Sequence, residues 1–221
     1  MTHQEIEIKA VKQELINMWT LVQSQMSKTR DAMLHADKDL AREVIQREKR
    51  VNALELKIDR DCENVFALYC PVAVDLRFLL AVLKINTNLE RVGDIAKTIC
   101  KYLIDAPSCF DKQLLEETKV LQMINIVNDI LHDTRVAFEH ENTTLARSIF
   151  QKDEILDQIN RQSGIIISEY IHKNLDNIDE ALYAHSIIKK LERIGDHSEN
   201  MAEEIIFYVE AKVLKHLEPK N

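Results

Sequence analysis

Near its C-terminus the chain places Glu192, Asp196, Glu199 and Glu203 at spacings of four, three and four residues. On a helix that spacing aligns side chains along one face. Like charges at i and i+4 oppose a helix by roughly 0.2–0.5 kcal/mol per pair, so the stripe needs something to offset it. A related stripe, Glu90, Asp94, Lys97 and Lys101, lies 102 residues earlier. Both grow from one phrase, LERVGD at 89–94 and LERIGD at 191–196. Each copy holds a glycine, Gly93 or Gly195, in a chain with three glycines in all. A glycine in a helix interior costs about 0.5–1 kcal/mol relative to alanine. Leaving out a side chain there lets a neighbouring backbone or a ligand approach closely.

Two more polar stripes run beside apolar positions. One is Glu48, Asn52, Glu55 and Asp59; the other is Asp153, Asp157, Asn160 and Gly164. In an antiparallel hairpin, residues equidistant from the turn stand level. Glu48 with Asp94, and Asn52 with Glu90, are equidistant from Pro71. Asp153 with Asp196, and Asp157 with Glu192, are equidistant from the junction of Asn174 and Leu175. The spacing therefore predicts two i,i+4 pairs level on neighbouring helices, in both halves. Solvated positions beside an apolar seam are the ordinary reading of an acidic stripe. Matched height in two hairpins favours instead a hard cation held by oxygen ligands. Arg91 and Arg193 point about 100° away and neutralise only partly.

The elements that must position these groups are long helices. Gly and Pro number three each among 221 residues, far below the usual ~7% and ~5%. Six helices are expected, over 4–35, 38–69, 72–104, 112–140, 143–173 and 177–216. Breaks fall at HADKD, Cys70-Pro71, EHENTT and HKNLDN. The third helix carries a seam of Phe78, Val82, Ile85, Leu89, Val92, Ala96, Ile99 and Leu103. The sixth repeats it with Ile188, Leu191, Ile194, Ser198, Met201, Ile205 and Tyr208. Such seams demand partners. Thr29-Arg30 also matches Thr134-Arg135, and LAR at 40–42 matches LAR at 145–147. The expected fold is all-α: two tandem homologous three-helix bundles, at 1–106 and 107–221, produced by duplication and joined at Pro107.

Net charge is −8 with no basic cluster, which argues against nucleic-acid binding. No cationic pocket is legible either. The start, MTHQEIEIKA, lacks the pattern of a signal peptide, and the longest clean apolar runs, such as 78–83, are far too short for a membrane span. Cys62, Cys70, Cys100 and Cys109 show no CxxC spacing and read as thiols of a reducing cytoplasm. Ferritin-like di-iron enzymes need paired ExxH motifs; this chain has no such pair, and its DxxH, Asp129 to His132, is unpaired. No nucleophile constellation or phosphate-cradling Gly loop is present, so a catalytic centre is not expected. A metal-free helical adaptor and a carboxylate-bridged metalloenzyme stand as the competing readings.

VNALELKID, VAVDLRFLLAVLKINTNLERVGDIA and LERIGDHSENMAE together resemble the PhoU family of phosphate-transport regulators, over about residues 5–215. The resemblance implies tandem three-helix bundles and cytoplasmic residence. It implies negative regulation of the phosphate-starvation response, alongside a phosphate ABC transporter with its ATPase and a sensor histidine kinase. It also implies homodimers, and contact with the membrane only through partners. The family pattern places a multinuclear metal cluster on each bundle, of iron, zinc, manganese, nickel or magnesium. Its motifs map to Glu48, Asn52, Glu90 and Asp94, then to Asp153, Asp157, Glu192 and Asp196, with Glu199 beside them. Asn52, Lys97 and Lys101 depart from a fully acidic pattern, so weaker metal binding is expected in the first half. Arg77, in the DLR at 75–77, is the expected partner-contacting residue.

Overall fold

A computed structural model describes residues 2–106 and 109–214. The element order is α1 (His3–His35), α2 (Lys38–Tyr69), α3 (Ala73–Asp105), α4 (Lys112–Glu117), α5 (Val120–His140), α6 (Thr143–Lys173) and α7 (Ile178–Glu210), with a 3-10 turn at Leu175–Asn177. Polar side chains start the helices where the composition breaks. Asp37 accepts from Asp39 and Leu40 at the head of α2, and Asn142 accepts from Leu145 at the head of α6. Each supplies an acceptor for otherwise unpaired amides. Cys70, in the left-handed region at φ 48°, ends α2 just before Pro71, which cannot donate a helical N–H.

α1, α2 and α3 pack on one another, as do α5, α6 and α7. Every residue of the two expected seams is buried. Burial in α3 extends beyond its seam to Leu79, Ala81, Asn86, Gly93, Ile95 and Cys100. The reason is that α3 also packs along α7, and α1 along α5. One continuous apolar core consequently runs from Val11 to Tyr208 through both halves. Trp19 joins them, fully buried and donating its indole N–H to the Leu131 carbonyl at 3.2 Å. Phe78, Phe138 and Tyr208 complete an aromatic cluster at one end, with centroids 5.5–6.1 Å apart.

Two expected helices differ in extent. The helix expected over 112–140 is interrupted at Thr118 and Lys119, Lys119 being left-handed at φ 55°. Leu114 packs in a separate small cluster with Ile167, Tyr170, Ala181 and Ala184, whereas Val120 enters the main core. One straight helix cannot serve both, and the Thr118 hydroxyl closes α4 by donating to the Leu114 carbonyl at 2.6 Å. The helix expected to reach 216 stops at Glu210, where left-handed Ala211 caps it and Arg147 grips the Glu210 carboxylate at 2.7 and 3.0 Å. Residues 215–216 and the expected joint at Pro107 lie outside the described residues.

Candidate metal centres

In the first half, α2 and α3 bring Glu48, Glu90 and Asp94 together, with one carboxylate oxygen from each within 4.8 Å of the others. Glu48 is 2% exposed and lies against Gly93; a methyl group added there would sit 3.0 Å from its Oε2. Gln25 of α1 donates to Glu48 Oε2 at 3.2 Å and to the Val44 carbonyl at 3.4 Å. Asn52, with its amide turned to donate, reaches Glu48 Oε1 at 2.9 Å. Burial pushes the Glu48 carboxyl up to about 7; the Gln25 hydrogen bond opposes this, while Asp94 adds to it. Glu90 is raised too, by burial and then by Asp94. Lys97 answers part of the negative charge, with its ammonium 3.0 Å from Asp94 Oδ1.

In the second half, α6 and α7 repeat the plan with different side chains. Asp153, the counterpart of Glu48, is 5% exposed and lies directly over Gly195. A methyl group at 195 would collide with its carboxylate. The glycine thus makes room for a neighbouring helix's carboxylate, in both halves. Asp153 shares a hydrogen bond with Glu199, and Asp157 and Asp196 crowd it further. Burial first, then these like charges, push the Asp153 carboxyl far up, so the metal-free pair holds a proton. Asp153 Oδ1 is buried with no hydrogen-bond partner. Burial followed by neighbouring carboxylates also raises Glu192 and Asp196. Asn160 donates to Glu192 Oε1 at 3.2 Å, while Arg161 draws Asp157 outward at 3.0 Å.

Of the nine expected ligand positions, Glu48, Glu90 and Asp94 bring carboxylate oxygens within 4.8 Å of one another, with Asn52 beside Glu48, whereas no three carboxylates of the second half meet as closely among the described residues. The positions expected there are Asp153, Asp157, Glu192, Asp196 and Glu199. Arg77 stands apart, near the start of α3, with its Nε buried and unpartnered. The stripe around it is divided: Phe78, Leu79, Ala81 and Val82 are core, whereas Leu76 and Leu80 are exposed. Gln25 escaped the sequence reading, although a glutamine amid the apolar face of α1 was the available signal; its counterpart is Ile130. A cationic cleft between α3 and α7 was not expected at all, and it is present.

The donor set fits a hard cation. In the first half three carboxylate oxygens converge, in the second the buried Asp153 Oδ1 lacks a partner, and a glycine adjoins the buried carboxylate of each. Such an arrangement defines a tandem helical-hairpin protein with an acidic cluster on each hairpin. The PhoU domain family model matches residues 15–103 and 120–205, so the chain belongs to the PhoU family. It is 32% identical to the phosphate-specific transport system accessory protein PhoU of Escherichia coli strain K12, covering 96% of this chain and 87% of that one. It is also 32% identical to the PhoU homolog of Aquifex aeolicus, covering 95% and 94%. The crystal structure of PhoU from Pseudomonas aeruginosa superposes with a TM-score of 0.85 at 28% identity, covering 94% and 99%. The Escherichia coli and Aquifex aeolicus relatives are named as accessory proteins of a phosphate-specific transport system, and none of the three is named as an enzyme.

Proposed function

We propose that this protein is a cytoplasmic negative regulator of the phosphate-starvation response. It couples a phosphate ABC transporter, through the transporter's ATPase, to a sensor histidine kinase by protein contacts. The support is the family membership, together with relatives named as accessory proteins of phosphate-specific transport. No helix among the described residues is long and apolar enough to cross a membrane. Each repeat, 1–106 and 107–221, serves as one functional unit, and the chain acts as a homodimer. Arg77 is the side chain assigned to partner contact.

The observation that carries the metal part is the buried, unpartnered Asp153 Oδ1 over Gly195. Glu48, Glu90 and Asp94 would hold a cation in the first half, with Asn52 beside them. Asp153, Asp157, Glu192, Asp196 and Glu199 would do so in the second. Iron, zinc, manganese, nickel and magnesium are the candidate ions. A bound ion supplies positive charge that relieves carboxylate repulsion and ties paired helices together. Gln25 and Asn52 orient Glu48, while Lys97 limits the net charge of the first site.

The test is a phosphate-starvation reporter in phosphate-rich medium, in cells lacking the gene. Wild type should silence a derepressed reporter. Glu192→Ala with Asp196→Ala, confirmed to be folded, should leave it partly derepressed. An unchanged reporter in the null strain would refute the regulatory role.

A further inference from the structure

The duplication has a second geometric consequence. Lys84 meets Glu204 at 3.0 Å, Asn88 meets the His197 ring at 2.9 Å, and the rings of Tyr102 and Tyr183 lie 5.8 Å apart. α3 and α7 therefore run antiparallel, each being the same helix of its repeat. An antiparallel pair of equivalent helices brings one position level with its own copy, near the midpoint of the contact. That position is the arginine of LERxGD: Arg91 in α3 and Arg193 in α7.

Both arginines line a cleft of about 140 Å³, with Lys190, His197, Thr98 and Asp94. Three fixed cations thus border one small cavity on a chain of net charge −8. Their local partners are weak or absent. Arg91 Nε reaches Glu90 at only 3.7 Å, and Arg193 and Lys190 form no ion pair among the described residues. Asp94 Oδ1 is engaged by Lys97 at 3.0 Å. Arg91, Arg193 and the His197 ring border the cleft together. Guanidinium forks match the oxygens of a tetrahedral oxyanion in paired hydrogen bonds, and a lysine adds a point charge. The cleft has room for a free oxyanion.

We infer that the α3–α7 cleft, bounded by Arg91, Arg193, Lys190 and His197, binds a small tetrahedral oxyanion of the phosphate class. The LERxGD phrase then serves two sites. Its arginine faces the other half of the molecule, and in the first half Asp94 borders both the acidic cluster and the cleft. The oxyanion assignment does not rest on the regulatory role, and the cleft shares Asp94 with the first acidic cluster.

The experiment is calorimetric titration of the full chain with inorganic phosphate, at constant ionic strength and with a chelator present. Wild type should bind saturably, with a Kd of about 1 mM or tighter. Arg91→Ala and Arg193→Ala should each weaken binding at least about tenfold, and the double variant should abolish it. Sulfate should compete and chloride should not. Both arginines are exposed at the helix surface, so thermal melts of the variants should match wild type and separate lost binding from lost fold. No saturable binding up to about 50 mM phosphate, or equal binding by the double variant, would overturn the inference.

Discussion

The two acidic clusters descend from one repeat, yet they balance their charge by opposite means. In the first, a buried glutamate is held by amides from Gln25 and Asn52, and a lysine neutralises Asp94. In the second, Ile130 replaces Gln25, Asp157 replaces Asn52 and Glu199 replaces Lys97. A proton held between Asp153 and Glu199 takes over in the metal-free state. The first site carries much of its own counter-charge; the second leaves a larger deficit. Oxygen convergence is tighter in the first, where three carboxylates already meet. Pulling a side chain about 30° off its rotamer costs only about 0.5–1.5 kcal/mol, and affinity for a hard cation follows the ligand charge count. The charge difference wins, and the second site should bind a divalent cation more tightly.

The largest expected effect is on stability without metal. Glu48 has a folded-state pKa raised above its unfolded value. Its contribution is therefore complete below about pH 4.5 and is lost as the pH rises through about 7. The loss is on the order of 3 kcal/mol. In chelator, Glu48→Gln should become progressively more stable than wild type between pH 5 and 8, as read by urea unfolding. A pH-independent difference would show that Glu48 is not held protonated.

Next come the glycines. A methyl group at 195 meets the Asp153 carboxylate head-on and lies 2.8 Å from Leu156 Cδ1, while at 93 its closest contact is 3.0 Å. Gly195→Ala should destabilise by about 1–3 kcal/mol through overpacking. Gly93→Ala should fall within about 1 kcal/mol of wild type, because gained helix propensity offsets a milder contact. Equal melting temperatures would remove the distinction drawn between the two cradles. A smaller change should follow Lys97→Glu, which gives the first site the second site's residue. Its affinity for manganese should rise about tenfold, measured in an Asp153→Asn/Asp196→Asn background. The smallest should be Arg161→Ala, since exposed ion pairs contribute about 0–1 kcal/mol.

Much of this plan was legible in the sequence. Repeated phrases disclosed the duplication, and distance from Pro71 placed Glu48 beside Asp94 before any coordinates. The apolar seams of α3 and α7 named core residues that are all buried. The contact between halves was not legible. A period of 3.5 residues reports one buried face, and α3 and α7 each bury two. The α4–α5 break was hidden as well, because Thr118 and Lys119 carry no Gly or Pro signal. The cationic cleft depends on that same packing: Arg91 and Arg193 are 102 residues apart in sequence and meet only when the halves do.

The most direct test of the two-centre account is calorimetric titration with manganese of wild type, Glu48→Gln/Asp94→Asn, Asp153→Asn/Asp196→Asn and the four-fold combination. Wild type should show two classes of site. The Asp153/Asp196 variant should lose the tighter class, the Glu48/Asp94 variant the weaker, and the combination both. Saturable binding that persists in the combination, or none in wild type, would contradict the assignment of these carboxylates to metal.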